Sequence, residues 1–144
     1  MKIKEATIRH IFEHVVPFNR FLGIEIRSLE PGKALLYLPF REEFIGDSTR
    51  PALHGGVISS LMDTAGGVAA WTSLEEQDRL STVDILVDYL RPADRAALLA
   101  EGKLIRIGDR VAAVEIKVWQ EGNEEPVASG RAVYNVVRRT KKES

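Results

Sequence analysis

Wound as a helix, the segment 54-HGGVISSLMDTAGGVAAWTS-73 is apolar around most of its circumference, and nothing else in the chain limits the fold as tightly. Val57, Ile58, Leu61, Met62, Ala65, Val68 and Ala69 leave no broad polar face. A helix of that kind must be wrapped by other structure, not merely laid on a surface. Gly66 and Gly67 fall in its middle, where two glycines cost roughly 2 kcal/mol against two alanines. Close approach of another backbone, from an enclosing sheet or from a second subunit, is a reason to carry them.

The rest of the chain supplies strands for the wrapping. Residues 4–16 predict an amphipathic helix, with Ile8, Ile11, Phe12, Val15 and Val16 on one face, and Pro17 is expected to end it. Strand texture runs from Phe21 to Phe40, broken by a hairpin turn at Glu30-Pro31-Gly32-Lys33. Residues 41–53 read as a polar loop. Beyond the helix, 83-VDILVDY-89, 97-ALLAEGKLIRI-107, 111-VAAVEIKVW-119 and 126-PVASGRAVYNVV-137 read as strands, with turns at Gly108-Asp109 and Glu121-Gly122-Asn123. A strand pair, one helix and a run of strands is an α+β pattern on an antiparallel sheet. The 144 residues fit one domain, with its core at about 20–137. The basic stretch 138-RRTKKES-144 reads as a solvated tail.

Bulk properties exclude several classes. A net charge of −1 gives no electrostatic footprint for nucleic acid or an anionic membrane. The absence of cysteine removes disulfides, thiolate metal sites and a cysteine nucleophile. No run approaches the ~18 apolar residues of a spanning helix, and the charged start MKIKEATIRHIFEH is unlike a signal peptide. A cytoplasmic domain is expected. His10-Ile11-Phe12-Glu13-His14 formally matches the inverted zinc-protease motif H-x-x-E-H. The one other histidine is His54, and the helix should pack its apolar face and leave His10 and His14 outward, so no metal is expected.

Function is to be sought where the loop meets the long helix. A helix N-terminus presents unpaired N–H groups and partial positive charge to an anion or a developing oxyanion, and glycine lets a second molecule approach the backbone. Gly55 and Gly56 suit that purpose, or they simply open the helix. Asp63, in turn, is either a buried carboxylate held by local donors or a working group. It lies seven residues beyond Gly56, about 10 Å along the axis, too far to act on an atom held by its own Gly55. If the two cooperate, they come from different subunits, with antiparallel helices meeting at a two-fold axis. His54 lacks an acidic partner nearby in sequence and reads as a hydrogen-bonded residue that fixes the loop. Ser59 and Ser60 lack a nucleophile-elbow pattern and read as packing residues, and Trp71 either closes the floor of a pocket or packs in the core.

The segments 54-HGGVISSLMD-63 and 82-TVDILVDYLRPA-93 resemble the PaaI-like acyl-CoA thioesterases of the hotdog fold, over roughly residues 8 to 137. The resemblance implies a long central helix wrapped by an antiparallel β-sheet, and hydrolysis of an acyl-CoA to free acid and CoA. It further implies that the Gly55 N–H meets the thioester carbonyl and that Asp63 of the partner subunit acts as general base or nucleophile. Thr82 would orient water or carboxylate, with His54, Gly56 and Ser48 on the substrate side. No cofactor is implied, and the active unit would be a homodimer, commonly paired into a tetramer. Where many members carry asparagine and glycine, six and three residues before the histidine, this chain has Ser48 and Pro51, with Arg50 beside them. The rivals are a non-catalytic acyl-CoA sensor of the same fold and a hydratase, which would want a histidine paired with an acid.

Overall fold

The strands Glu25–Glu30 (β1), Lys33–Leu38 (β2), Arg79–Tyr89 (β3), Leu98–Ile107 (β4), Val111–Gln120 (β5) and Asn123–Val137 (β6) form one sheet, in the order β1-β2-β4-β5-β6-β3. Every neighbouring pair is antiparallel. Against its inner face lies the helix Gly55–Trp71 (α3), packed on all the strands from β2 to β6. This is the hotdog arrangement, seen in a computed structural model that describes residues 2–139. Of the expected basic tail, residues 140–144 fall outside the described residues. Arg138 is not simply solvated, because its guanidinium pairs with the Asp78 carboxylate at 3.0 Å.

Alternation sets the core. Along β5, Ala112, Val114, Ile116 and Val118 are buried while Glu115 and Lys117 are exposed, as a strand with one covered face requires. These residues meet Leu61, Met62, Ala65, Val68 and Ala69 of α3 in one cluster. The mid-helix glycine at 66 has a sheet-side cause. A Cβ there would stand 2.5 Å from the Tyr134 hydroxyl and 2.8 Å from Val114. Gly102 of β4 answers it from the other side, since a Cβ on Gly102 would collide with the Ala65 carbonyl. Helix and sheet therefore touch backbone to backbone along this line.

The N-terminal region departs from the expected single helix and long strand. Glu5–His10 (α1) continues as a π-helical turn over Ile11–Val15. Pro17 then opens a second helix, Pro17–Leu22 (α2), after Val16 turns extended. Proline suits the first helical position because its missing N–H would have had no intrahelical partner. Phe21 is thus helical, and the strand begins at Glu25 once Gly23, at φ +85°, has ended α2. Arg9 and Glu13 fasten the helices to β1, donating to the Ile26 carbonyl at 2.6 Å and accepting from its N–H at 2.8 Å. Glu13 of the H-x-x-E-H stretch is therefore occupied, while His10 and His14 are exposed.

The Pro31-Gly32 turn forms as expected, with Gly32 at φ +75° between the paired residues Glu30 and Lys33. Residues 90–97 cross from the edge strand β3 back to β4. Gln120 pins this crossover, its amide bonded to both backbone groups of Asp94. Among the described residues no helix is long and apolar enough to cross a membrane.

Candidate active site

The sequence places four backbone N–H groups at the start of α3, and the structure accounts for three of them. His54 caps the helix: its Nδ1 accepts from the Gly56 N–H at 2.8 Å, and its carbonyl accepts from Val57 at 3.0 Å and Ile58 at 3.4 Å. The Gly55 N–H has no partner among the described residues. His54 is held in turn by its own N–H to the Phe44 carbonyl at 2.8 Å, and Gly46 lacks a Cβ where one would strike His54. The histidine therefore fixes the loop. Because the Gly56 N–H is committed to that cap, it is not free for a substrate. Tyr89 closes over Gly55, its hydroxyl donating to the Gly55 carbonyl at 3.0 Å.

Two helical turns along, Asp63 reaches the wall formed by β3. Thr82 donates from Oγ1 to Asp63 Oδ1 at 2.8 Å, and the Tyr134 hydroxyl also acts on this carboxylate. A β-bulge makes the meeting possible. β3 pairs with β6 as Thr82↔Tyr134 and then Asp84↔Val133, with the register broken between them. Val83 is the extra residue, 61% exposed. Unbroken alternation would have turned Thr82 away from the face that Ile85 and Val87 pack; with the bulge, all three side chains serve the helix side.

Tyr134, on the neighbouring β6, donates to the Asp63 carbonyl at 2.7 Å. Burial, and then the nearby Asp63 carboxylate, push its phenol well above the ordinary tyrosine range. It stays a donor at any pH the protein meets.

Asp63 and Thr82 open on a cavity of about 300 Å³. One wall is the stripe Ser60, Asp63, Thr64, Gly67 and Trp71 of α3, a second is Leu80, Ser81, Thr82 and Tyr134, and the third comes from Phe12, Val16, Phe18 and Asn19. Phe12 meets Trp71 edge-on, ring centres 5.7 Å apart, so that end is apolar. The end at Ser60, Asp63 and Thr64 is polar. Trp71 lines this cavity as well as packing against the core. A larger hollow of about 1180 Å³ lies on the outer face of the sheet. It holds neither Asp63 nor Gly55, and its charges alternate in sign across strands, Glu101 beside Lys117 and Glu115 beside Arg131.

Ser48 is exposed on the 47–50 turn, apart from the cavity. In that turn Asp47 accepts from Thr49 and Arg50 pairs with Asp47 at 3.8 Å. Within one chain, then, the structure joins Asp63 to Thr82 and His54 to Gly56, but leaves Gly55 and Ser48 away from the carboxylate. Sequence reasoning missed Tyr134 and the third wall. The tyrosine could have been sought as the partner of a mid-helix glycine. Asn19 gave no signal, since it falls between the expected helix end at Pro17 and the strand texture from Phe21.

Comparison with known proteins agrees with the geometry. The profile of the thioesterase superfamily matches residues 51–127. The medium/long-chain acyl-CoA thioesterase YigI of Escherichia coli K12 is 31% identical over 142 residues, covering 90% of this chain and 91% of that one. The 1,4-dihydroxy-2-naphthoyl-CoA hydrolase of Listeria monocytogenes is 31% identical over 100 residues, covering 69% and 80%. In fold, the chain superposes on a thioesterase family protein from Silicibacter pomeroyi with a TM-score of 0.85, at 24% identity, covering 93% and 98% of the two chains.

Proposed function

The chain belongs to the thioesterase superfamily, and on that footing we propose that it hydrolyses a medium- or long-chain fatty acyl-CoA to the free acid and CoA. The observation that carries this reading is the Asp63 carboxylate on the cavity wall, with one oxygen held by Thr82. A carboxylate so held can take a proton from water while the water oxygen adds to the thioester carbon. The carbon–sulfur bond then breaks, and the proton leaves with the CoA thiol. Asp63 adding to the carbon itself, through a transient anhydride, would give the same products. The apolar end at Phe12, Val16, Leu80 and Trp71 suits an alkyl chain, and YigI, which shares most of its length with this chain, is named for medium- and long-chain acyl-CoA.

The carbonyl oxygen needs a donor, and the free Gly55 N–H is suited to it. Gly55 is the first residue of α3 and Asp63 the ninth, about 12 Å apart along the axis, so the Gly55 involved belongs to a second copy. β3 supports such a pairing. It is an edge strand of 11 residues with Val83, Leu86 and Tyr89 exposed, and an edge that long and apolar asks to be covered. A homodimer joined along β3 is part of the proposal.

The test is thiol release from a panel of fatty acyl-CoAs and aromatic acyl-CoAs by wild type and by Asp63→Ala. Release by wild type that falls about 10²–10⁴-fold in a folded variant supports the role of Asp63. Saturable binding without release would instead identify an acyl-CoA sensor.

A further inference from the structure

Most side-chain hydroxyl donors that line the cavity are already committed within the fold. Ser60 donates to the Gly56 carbonyl at 2.7 Å, Thr64 to the Ser60 carbonyl at 2.9 Å, Thr82 to Asp63, and Tyr134 to the Asp63 carbonyl. Ser81 is exposed and finds bulk water. Two side-chain donors on the cavity wall have no acceptor among the described residues: the Trp71 indole N–H at the far end, and the side-chain amide of Asn19 near Asp63.

Asn19 is 4% exposed, and its side chain has one contact, Oδ1 to the Thr64 hydroxyl at 3.5 Å. A hydroxyl has a single proton, and the Ser60 carbonyl at 2.9 Å is the better acceptor. A separation of 3.5 Å is at the limit of any hydrogen bond. No described group accepts from the amide nitrogen. The helix end needs the Asn19 backbone carbonyl, which accepts from Gly23 and Ile24, but nothing in the fold needs the side-chain amide.

Asn19 also has a definite height in the cavity. Its contact, Thr64, is the sequence neighbour of Asp63, and the apolar end at Trp71 lies seven residues beyond Thr64 along α3, about 10 Å away. The amide therefore stands beside the first carbons of an acyl chain whose thioester carbon is at Asp63. An unsubstituted alkyl chain would displace water from this amide and leave it unpaired. A chain with a hydroxyl at that height would restore the bond.

Building on the thioesterase reading, we infer that Asn19 is a specificity-determining residue that selects acyl-CoAs hydroxylated close to the thioester, of which a 3-hydroxyacyl-CoA is the nearest case.

The experiment compares kcat/KM for a saturated medium-chain acyl-CoA and its 3-hydroxy analogue of equal length, in wild type and in Asn19→Leu. Wild type should favour the hydroxylated substrate by about tenfold or more, and Asn19→Leu, similar in size but without the amide, should bring the ratio towards one. The wild-type ratio needs no variant to fold. Equal kcat/KM for the two substrates in wild type overturns the inference alone, as does a preference that survives in Asn19→Leu. Release of thiol from neither, nor from any member of the broader panel, overturns the thioesterase reading with it.

Discussion

Thr82 and Asp63 are 19 residues apart in sequence and 2.8 Å apart in space, and they meet because Val83 is squeezed out of the β3–β6 ladder between them. Hydrogen bonds to a charged group are worth about 1.5–3 kcal/mol, so Thr82→Val should lower kcat roughly 10- to 100-fold with KM little changed. Thr82→Ser should keep most of the rate. Steady-state kinetics of the two variants decide it; a fully active Thr82→Val would remove Thr82 from the site.

Gly55→Pro isolates the proposed oxyanion donor. Proline is tolerated at the first helical position and lacks the N–H in question, and His54 already has the extended backbone, φ −62° and ψ 131°, that a residue before proline adopts. Its ring has to displace Tyr89, 3.2 Å from where a Cβ would stand, by a few tenths of an ångström. The variant should keep its helix by circular dichroism and lose turnover. Mixed and refolded with Asp63→Ala, it should recover about a quarter of wild-type activity, since half of the dimers are mixed and each holds one intact site. Inactive mixtures, with dimers verified by sizing, would place both groups in one chain.

Gly66→Ala drives a Cβ against Tyr134 and Val114, and overpacking of this kind costs typically 1–3 kcal/mol. Urea titration should show that loss, with part of it returned in the double variant Gly66→Ala/Tyr134→Phe. Tyr134→Phe alone should also destabilise, because it strips the buried donor from the Asp63 carbonyl. Strictly additive effects would mean that the two residues do not share the space.

Acid stability should depend on Asp78. Burial by itself would raise its pKa, but the Glu75 N–H, the Arg138 guanidinium and the Arg139 N–H together hold it below the usual carboxylate value. A depressed folded pKa contributes stability that is complete above the unfolded value, about 3.9, and is lost as pH falls through the folded value. The stability gap between wild type and Asp78→Asn should therefore be widest above about pH 4 and narrow below it. Parallel denaturation curves at every pH would contradict the assignment.

Much of this was legible because it depended on local pattern. The all-round apolar face demanded a wrapping sheet, Pro31-Gly32 demanded a turn, and a carboxylate at position 63 of such a helix asked for partners. What escaped the sequence depended on partners remote in it. Pro17 ends one helix or starts the next depending on what Val16 and Gly23 do, and helical spacing alone does not distinguish the two. A bulge at Val83 leaves no mark in a run of alternating residues, so the pairing of Thr82 with Ile85 and Val87 on one face emerged only with the β6 register. Asn19 is ordinary in sequence, and only its place on the cavity wall sets it apart.

The backbone contact of Gly102 with Ala65, and the Tyr134 hydroxyl set against Gly66, leave α3 no room to slide or turn against the sheet. The α1–α2 segment is attached differently, through side chains such as Arg9 and Glu13. The wall that carries the carboxylate is thus fixed by backbone packing, while the facing wall of Phe12, Val16, Phe18 and Asn19 is set by side-chain contacts. A lineage with this architecture can diversify its substrates by rewriting a dozen or so residues near its N-terminus, without disturbing the chemistry it inherits.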